Sequence, residues 1–211
     1  MSVAVSAPST AAQPLIVPVP AVPQDFIWRL SVEQYHTMIR AGILTEDDPV
    51  ELLEGWLIQK MPKNPPHRIA TRRTQRALEA IITTGWYVDT QEPITLADSE
   101  PEPDVSIVRG ETEHYADRNP GPQDVAVVIE IADSSLERDR GLKKRAYARA
   151  EVPVYWIINL VENQLEVYTA PSGPTETPDY GQRRDYALTE AVPLVIEEQE
   201  IGLILVRELF P

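Results

Sequence analysis

The spacing of hydrophobic and polar residues predicts three helices along the chain. Ser31 is followed three residues later by Gln34, which is typical of a capping box and predicts a short helix over 32–41. Between residues 67 and 83, apolar side chains recur on one helical face and arginines repeat on another, which predicts a one-sided amphipathic helix. A third helix is predicted over 137–150, in a segment rich in basic residues.

Short apolar or alternating runs, bounded by Gly, Pro and Asn, predict a larger number of strands. Two short strands are predicted between residues 50 and 58, with a turn near Gly55. Further strands are predicted at 86–91, 94–97, 103–108, 125–131, 154–160 and 165–168, while the runs at 192–196 and 201–206 add strand or close the core. Residues 171–183, rich in Pro, Gly, Ser and Thr, are predicted to be a loop.

The order of these elements predicts an α/β fold with a mixed central sheet sandwiched by helices and extra β-hairpins. Residues 125–160 follow the order strand, helix, strand, which is a βαβ-like unit. With 211 residues, 43% of them hydrophobic, one domain over 25–211 is expected. Residues 1–24 carry no charge and five prolines, so we expect a flexible leader without a signal or membrane helix. No later stretch approaches the length of a membrane span, which favours a soluble protein.

Charge and cysteine content narrow the chemistry. The chain has no cysteine, which excludes disulfides and thiolate metal sites and suits a reducing cytoplasmic environment. Its net charge of −14 opposes general adhesion to nucleic acid. The basic residues are nevertheless concentrated: six of the 19 fall in 60–78, where no acid occurs, and six in 138–149, where Asp139 is the only acid. These two basic islands lie on an otherwise acidic chain.

Two carboxylates are placed where neighbouring strands would bring them together. Asp104 precedes one predicted strand and Glu130 lies near the end of the next, so antiparallel pairing would place both at one edge. Adjacent carboxylates in a low dielectric repel each other, and a bound Mg²⁺ or Mn²⁺ resolves the repulsion. The Ile131 backbone carbonyl is a candidate for a further oxygen ligand. Lys143, on the following helix, is the candidate ammonium.

Each of these residues also has a purely structural interpretation. Asp139, Lys143 and Tyr147 share one helical face, so Asp139 could fix the ammonium, but a solvated ion pair is the commoner explanation of that spacing. Asp104 could cap a loop, since Asp is common in turns. Glu130, after five apolar residues, needs a partner, and an ion pair with Lys143 would suffice.

Other candidates flank this set. Glu51 and His67 could serve as outer ligands or orient a phosphate or water, although surface polarity explains each nearly as well. Arginines at every fourth position of the amphipathic helix could hold phosphates, or could simply form its solvated outer face. The nucleic-acid-binding candidates are Arg68, Arg72, Arg76 and Lys144.

A set of motifs in the same order resembles a known family. The motifs are Val50-Glu51-Leu52-Leu53-Glu54-Gly55, His67, Glu102-Pro103-Asp104-Val105, Val128-Ile129-Glu130-Ile131, Ser134-Ser135, Asp139, Lys143, Tyr147 and Val152-Pro153-Val154-Tyr155-Trp156. From about residue 25 to the end, their spacing resembles the Uma family of putative restriction endonucleases, within the PD-(D/E)XK nuclease superfamily. A lysine expected directly on the strand after Glu130 is replaced by Ala132.

The resemblance implies a restriction-endonuclease-like core and metal-dependent phosphodiester cleavage. It implies that Asp104 and Glu130 are metal ligands, that a migrated Lys143 positions or activates water, and that Glu51 and His67 support the site. The leading hypothesis is therefore a Mg²⁺-dependent endonuclease acting on DNA. A homodimer would suit the cutting of both strands, and no membrane partner is expected.

Two alternatives stay open. The −14 charge also suits a nuclease-like fold retained as a binding or assembly module, because few cations remain for nucleic acid. The third is a hydrolase acting on sugars, which would use Asp104 and Glu130 without metal.

Overall fold

The computed structural model describes residues 27–45 and 47–211. The leader predicted over 1–24 lies outside these residues. Within the described ranges, no helix combines the length and the apolar character needed to cross a membrane.

The chain alternates short helices with ten strands over the described residues. The strands, in chain order, are β1 Val50–Leu53, β2 Trp56–Gln59, β3 Trp86–Asp89, β4 Val105–Arg109, β5 Val125–Ala132, β6 Val154–Asn159, β7 Gln164–Pro171, β8 Tyr180–Ala187, β9 Ala191–Ile196 and β10 Gln199–Leu205. The helices are α1 Val32–Arg40, α2 Pro65–Glu79, α3 Leu136–Arg138 and α4 Lys144–Arg149, with a π-turn, Asp139–Lys143, joining α3 to α4.

Strands β3 to β8 form one six-stranded sheet in the order β3-β4-β5-β6-β7-β8. β5 and β6 run parallel, and the other neighbours are antiparallel. A parallel pair requires a crossover, which α3, the π-turn and α4 supply as a continuous helical segment over 136–149. The mixed sheet and the βαβ-like unit are therefore as predicted.

Both faces of the sheet are covered, because strands such as β5 are buried along their whole length. On one face, α2 and the β9–β10 hairpin pack with Ile129 and Ile131 of β5. On the other face, the 136–149 segment packs with Val128 and Ala132. Glu130 lies between these last two residues, so its side chain points towards the 136–149 segment. The β1–β2 pair forms the second hairpin outside the central sheet.

Helix α2 begins at Pro65, two residues before the predicted start. The Asn64 side chain accepts a hydrogen bond from the His67 N–H at 3.0 Å, which caps the helix. Proline is tolerated in a first helical turn because those N–H groups have no intrahelical partner. This cap places His67 in the first turn of α2, with its side chain only partly exposed.

Three further sequence-based predictions differ from the structure. Residues 94–97 are a loop, although Ile94 and Leu96 are buried, since their N–H groups bond to Pro101 and Ser99 and not to a strand ladder. The loop predicted over 171–183 ends earlier, because β8 starts at Tyr180 and pairs with β7. The helix predicted over 137–150 is interrupted by the π-turn.

Candidate functional site

Asp104 and Glu130 meet at one end of the sheet. Val105 pairs with Ile129 across antiparallel β4 and β5, which brings Asp104 level with Glu130. The Ile131 N–H donates to Asp104 Oδ2 at 2.9 Å and fixes this carboxylate beside β5. Both carboxylates are buried. The predicted meeting of these two residues is therefore present in the structure.

Glu130 is held by two donors from the helical segment. Lys143 Nζ donates to Glu130 Oε1 at 2.8 Å, and the Tyr147 hydroxyl donates to the same oxygen at 2.9 Å. Lys143 is only 3% exposed, so its ammonium is almost completely removed from bulk water. The structure thus places an ammonium beside the carboxylate pair, as the sequence predicted.

Glu51, on β1, completes the group around the lysine. Its Oε2 lies 3.4 Å from Lys143 Nζ and accepts the Glu102 N–H at 3.2 Å. Its other oxygen, Oε1, is buried and has no hydrogen-bond partner among the described residues. A buried carboxylate oxygen without a partner is costly, which makes this atom a candidate acceptor for a cation or water.

His67 adjoins the other carboxylate. Its Nε2 lies 3.0 Å from Asp104 Oδ2, within hydrogen-bond distance, and the Thr71 hydroxyl donates to the His67 carbonyl at 2.9 Å. Burial alone would raise the pKa of Asp104, but the contacts from His67 and the Ile131 N–H outweigh it and lower that pKa. Asp104 is therefore ionised at neutral pH.

Negative charge exceeds positive charge in this cluster. Burial raises the pKa of Glu130 to about 8; Lys143 opposes the rise, and Asp139, Asp104 and Glu51 add to it. Burial would lower the pKa of Lys143, but Glu130, Glu51 and Asp139 raise it above its ordinary value. The lysine therefore stays protonated. Its single positive charge does not balance all the acidic groups around it.

Asp139 forms neither the contact that would fix the ammonium nor the solvated ion pair with Lys143 that was the alternative. Its Oδ2 accepts the Ser135 hydroxyl at 2.5 Å, and Lys143 instead contacts Glu130 and Glu51. The reason is local geometry: Asp139 and Lys143 bound the π-turn, whose wider i→i+5 hydrogen bonding alters the side-chain alignment expected of an α-helix.

Two oxygens of the carboxylate pair are available to a ligand. Asp104 Oδ1 and Glu130 Oε2 have no hydrogen-bond partner among the described residues, and neither is completely sealed from solvent. Carboxylate and carbonyl oxygens are the donors that Mg²⁺ prefers. Within the described ranges, no group of three or more acidic or histidine side chains is arranged to hold a metal. A cation there would rely on one or two carboxylates, a carbonyl such as Ile131, and water or phosphate oxygens, which is a usual arrangement for Mg²⁺.

These side chains open into a small pocket of about 50 Å³, which we call the carboxylate pocket. Its polar lining residues come from the acid and lysine cluster, the segment before and at the start of α2, and the chain after β5: Glu51, Lys60, Lys63, Asn64, His67, Glu102, Asp104, Glu130, Asp133, Ser134, Ser135, Arg138 and Lys143. Sequence reasoning assigned no site role to Lys60, which pairs with Glu102 at 2.8 Å, or to Asn64, which donates to Asp133. The Asn-Pro-Pro sequence at 64–66 is a helix-start signal that could have located Asn64.

The exposed face of α2 leads away from this pocket. Arg68, Arg72 and Arg76 are exposed and, within the described part of the chain, form no ion pair. With Lys63 they line a groove of about 770 Å³, and no acid is among its described lining residues. Lys63 also lines the carboxylate pocket, so the two features adjoin. We call this surface the basic face of α2.

The second basic island is neutralised within the molecule. Arg145 and Arg149 pair with Glu54 at 2.6 and 2.9 Å, and Lys144 pairs with Asp179 at 2.8 Å. Lys144 also lies over the Tyr168 ring, 5.4 Å from its centre. These cations attach the helical segment to acids elsewhere in the fold, so residues 138–149 present little free charge, and the nucleic-acid-binding role of Lys144 stays a prediction.

The mixed α/β fold is similar to a nuclease fold. The structure is similar to the crystal structure of a "putative nuclease belonging to DUF820" from Anabaena variabilis, with a TM-score of 0.59. The two share 15% identity, and the similarity covers 86% of this chain and 97% of that one. This likeness confirms the predicted fold class.

The sequence assigns the family. The family model Uma2, described as "Putative restriction endonuclease", matches residues 32–200, and the chain belongs to this family. The resemblance seen in the motifs is therefore confirmed. A comparison with curated proteins finds no match.

Proposed function

We propose that the protein is a Mg²⁺- or Mn²⁺-dependent endonuclease that hydrolyses phosphodiester bonds in DNA. The observation that carries the proposal is the buried group of Glu51, Asp104 and Glu130 around a single ammonium, opening into a pocket beside the basic face of α2. Membership of the family described as "Putative restriction endonuclease" supports the reaction class.

The excess negative charge favours a divalent cation. Asp104, Glu130 and the Ile131 carbonyl would hold it, since Asp104 Oδ1 and Glu130 Oε2 remain without partners among the described residues. When bound, Mg²⁺ supplies Lewis-acid stabilisation of the charge that develops on the scissile phosphate. His67 holds Asp104 ionised and in place through its 3.0 Å contact.

Lys143 acts as a fixed positive charge. Its raised pKa keeps it protonated, so it orients the attacking water and stabilises the phosphorane and does not act as the general base. Lys143 is held by Glu130 and Glu51, and Tyr147 in turn holds Glu130. This fixed arrangement reduces the reorganisation needed during the reaction.

The basic face of α2 orients the substrate. Arg68, Arg72 and Arg76 are free of ion pairs among the described residues, so they offer charge to successive phosphates. This local surface lets a chain of net charge −14 bind a polyanion on one side.

Nicking of supercoiled plasmid with Mg²⁺ or Mn²⁺ tests the proposal. Replacing a residue that only hydrogen-bonds to a metal ligand typically lowers metal affinity or activity by about 10- to 100-fold. Glu130→Gln changes a direct ligand, so it is expected to lower the nicking rate by at least that much. Asp117→Asn is the matched control, because it changes an exposed acid outside the carboxylate pocket. A chelator should abolish nicking by the wild-type protein.

A folded wild-type protein that leaves plasmid intact with either metal contradicts the proposal. If it still binds DNA, the nuclease-like binding module becomes the better account. One observation favours that second function: Lys143 and Tyr147 already give the buried Glu130 carboxyl group hydrogen-bond partners within the protein. Nicking that persists in the presence of a chelator would instead point to metal-free chemistry at the two carboxylates.

A further inference from the structure

Arg140 makes a second ionic contact between the helical segment and the sheet, one turn before Lys143. Its Nε and Nη2 donate to Glu166 at 2.6–3.1 Å, and its Nη1 and Nη2 donate to Glu162 at 3.1 and 2.7 Å. A guanidinium that engages two carboxylates in this way has a defined orientation as well as a defined position.

The acceptor is itself fixed. Glu166 is fully buried on β7 and also accepts the Asn159 amide at 2.8 Å and the Tyr168 hydroxyl at 2.6 Å. Burial would raise the pKa of Glu166, but Arg140, Tyr168 and Asn159 outweigh burial and lower it. Glu166 is therefore an ionised anchor whose side chain has little freedom to move.

The two anchors of the helical segment share one row of the sheet. Glu130 on β5 pairs with Ile157 on β6, and Ile157 pairs with Glu166 on β7. Residues paired across strands project to the same face, so Glu130 and Glu166 stand two strands apart, about 10 Å, on the face that the helical segment covers. Lys143 contacts the first and Arg140 the second.

Both basic residues lie in the π-turn, which needs support. A π-turn is rare and is often found at functional sites. The Asp139 carbonyl accepts the Lys144 N–H within this turn and also the Tyr155 hydroxyl at 3.1 Å. Relaxation to an α-turn would change the direction in which Lys143 points relative to the preceding residues.

We propose that Arg140 and Glu166 are positioning residues, which hold the π-turn against the sheet and so keep the Lys143 ammonium beside Glu130. Neither residue lines the carboxylate pocket, so they act through Lys143 and not on substrate. The inference rests on the proposed function, because that function gives Lys143 its role at the scissile phosphate.

The test combines steady-state cleavage with chemical labelling of lysines in Arg140→Met. A displacement of about 1 Å at a reacting group can cost about 100-fold in rate, so kcat is expected to fall by about that factor with KM unchanged. Labelling with an amine-acetylating reagent, read by mass spectrometry, reports the ratio of Lys143 to Lys144. That ratio is expected to rise, because Lys143 leaves its buried position while the Lys144–Asp179 pair stays intact.

Two further variants separate positioning from general destabilisation. Arg183→Met removes a cation 3.4 Å from the same Glu166 carboxylate but on β8, so kcat and the labelling ratio should both stay at wild-type values. Arg140→Lys keeps the charge without the guanidinium fork and should recover part of the loss. It also provides a folded variant if Arg140→Met does not fold.

The outcomes distinguish this inference from the proposed function. The positioning role alone is overturned if the wild-type protein cleaves DNA and both folded variants, Arg140→Met and Arg140→Lys, keep the wild-type kcat and labelling ratio. A raised ratio in Arg140→Met, with no cleavage by the wild-type protein under any metal, overturns the proposed function. Equal effects of Arg140→Met and Arg183→Met also overturn the inference, since general weakening around Glu166 would then suffice.

Discussion

The basic face of α2 leads to a quantitative prediction about salt. Arg68, Arg72 and Arg76 span eight residues, which is about 12 Å of helix rise. Phosphates follow one another about every 3.4 Å of axis on each strand, so three separate phosphates are within reach. Each neutralised phosphate contributes about 0.9 to the slope of log K against log salt on B-DNA. Changing all three arginines to Gln should therefore reduce the magnitude of this slope by about 2.7.

Fluorescence anisotropy of a labelled duplex, with metal chelated to prevent cleavage, measures the slope across a range of NaCl concentrations. The control is a triple variant, Arg40, Arg118 and Arg184 to Gln, which removes the same charge from arginines that contact Glu33, Asp124 and Glu190. Its slope should stay close to that of the wild-type protein. Equal slopes for the two triple variants would refute a specific role of α2 and would mean that net charge alone governs binding.

Three further predictions concern the carboxylate pocket. In the presence of a chelator, the pKa of Glu130 is about 8 in the folded protein and 4.5 in the unfolded chain. Between these two pH values the folded protein holds a proton that the unfolded chain has released, so the free energy of unfolding should fall as pH rises through that window. Urea titrations should show this dependence reduced in Glu130→Gln, and an unchanged dependence would contradict the raised pKa. Lys143→Met leaves Glu130 and Glu51 without their cation and should lower the free energy of unfolding by about 3–5 kcal/mol, measured with urea; a loss below about 1 kcal/mol would mean that the pair behaves like a surface ion pair. Tyr147→Phe removes one neutral donor to Glu130 and should cost about 1 kcal/mol in the same assay, and no measurable loss would show that this hydrogen bond contributes nothing net.

The sequence predicted that Asp104, Glu130 and Lys143 lie close together, because strand register links residues far apart in the chain. Asp104 directly precedes β4 and Glu130 lies within β5, next to the Val105–Ile129 pair, and a continuous apolar run made β5 easy to recognise. Lys143 was predicted as the ammonium, and it does contact Glu130. Alternation along strands and the helical period carried this information.

What the sequence could not predict depends on distant partners and on irregular backbone. The π-turn leaves no clear periodic signal, so neither interpretation of Asp139, fixing the ammonium or forming a solvated ion pair, describes its bond to Ser135. The sequence does not show whether the 138–149 island is free positive charge, because nothing local indicates that Glu54 and Asp179 would meet it. The start of α2 was predicted two residues late, because the apolar and basic periodicity becomes visible only from residue 67, whereas Pro65 and Pro66 form the first turn.

Titration with Mn²⁺, followed by the loss of the free-ion electron paramagnetic resonance signal, tests the central claim most directly. The account predicts saturable binding by the wild-type protein that is lost in Asp104→Asn and in Glu130→Gln and retained in Asp117→Asn. Binding that is the same in all four proteins, or absent from the wild-type protein while it cleaves DNA, would contradict the assignment of these carboxylates as the metal site.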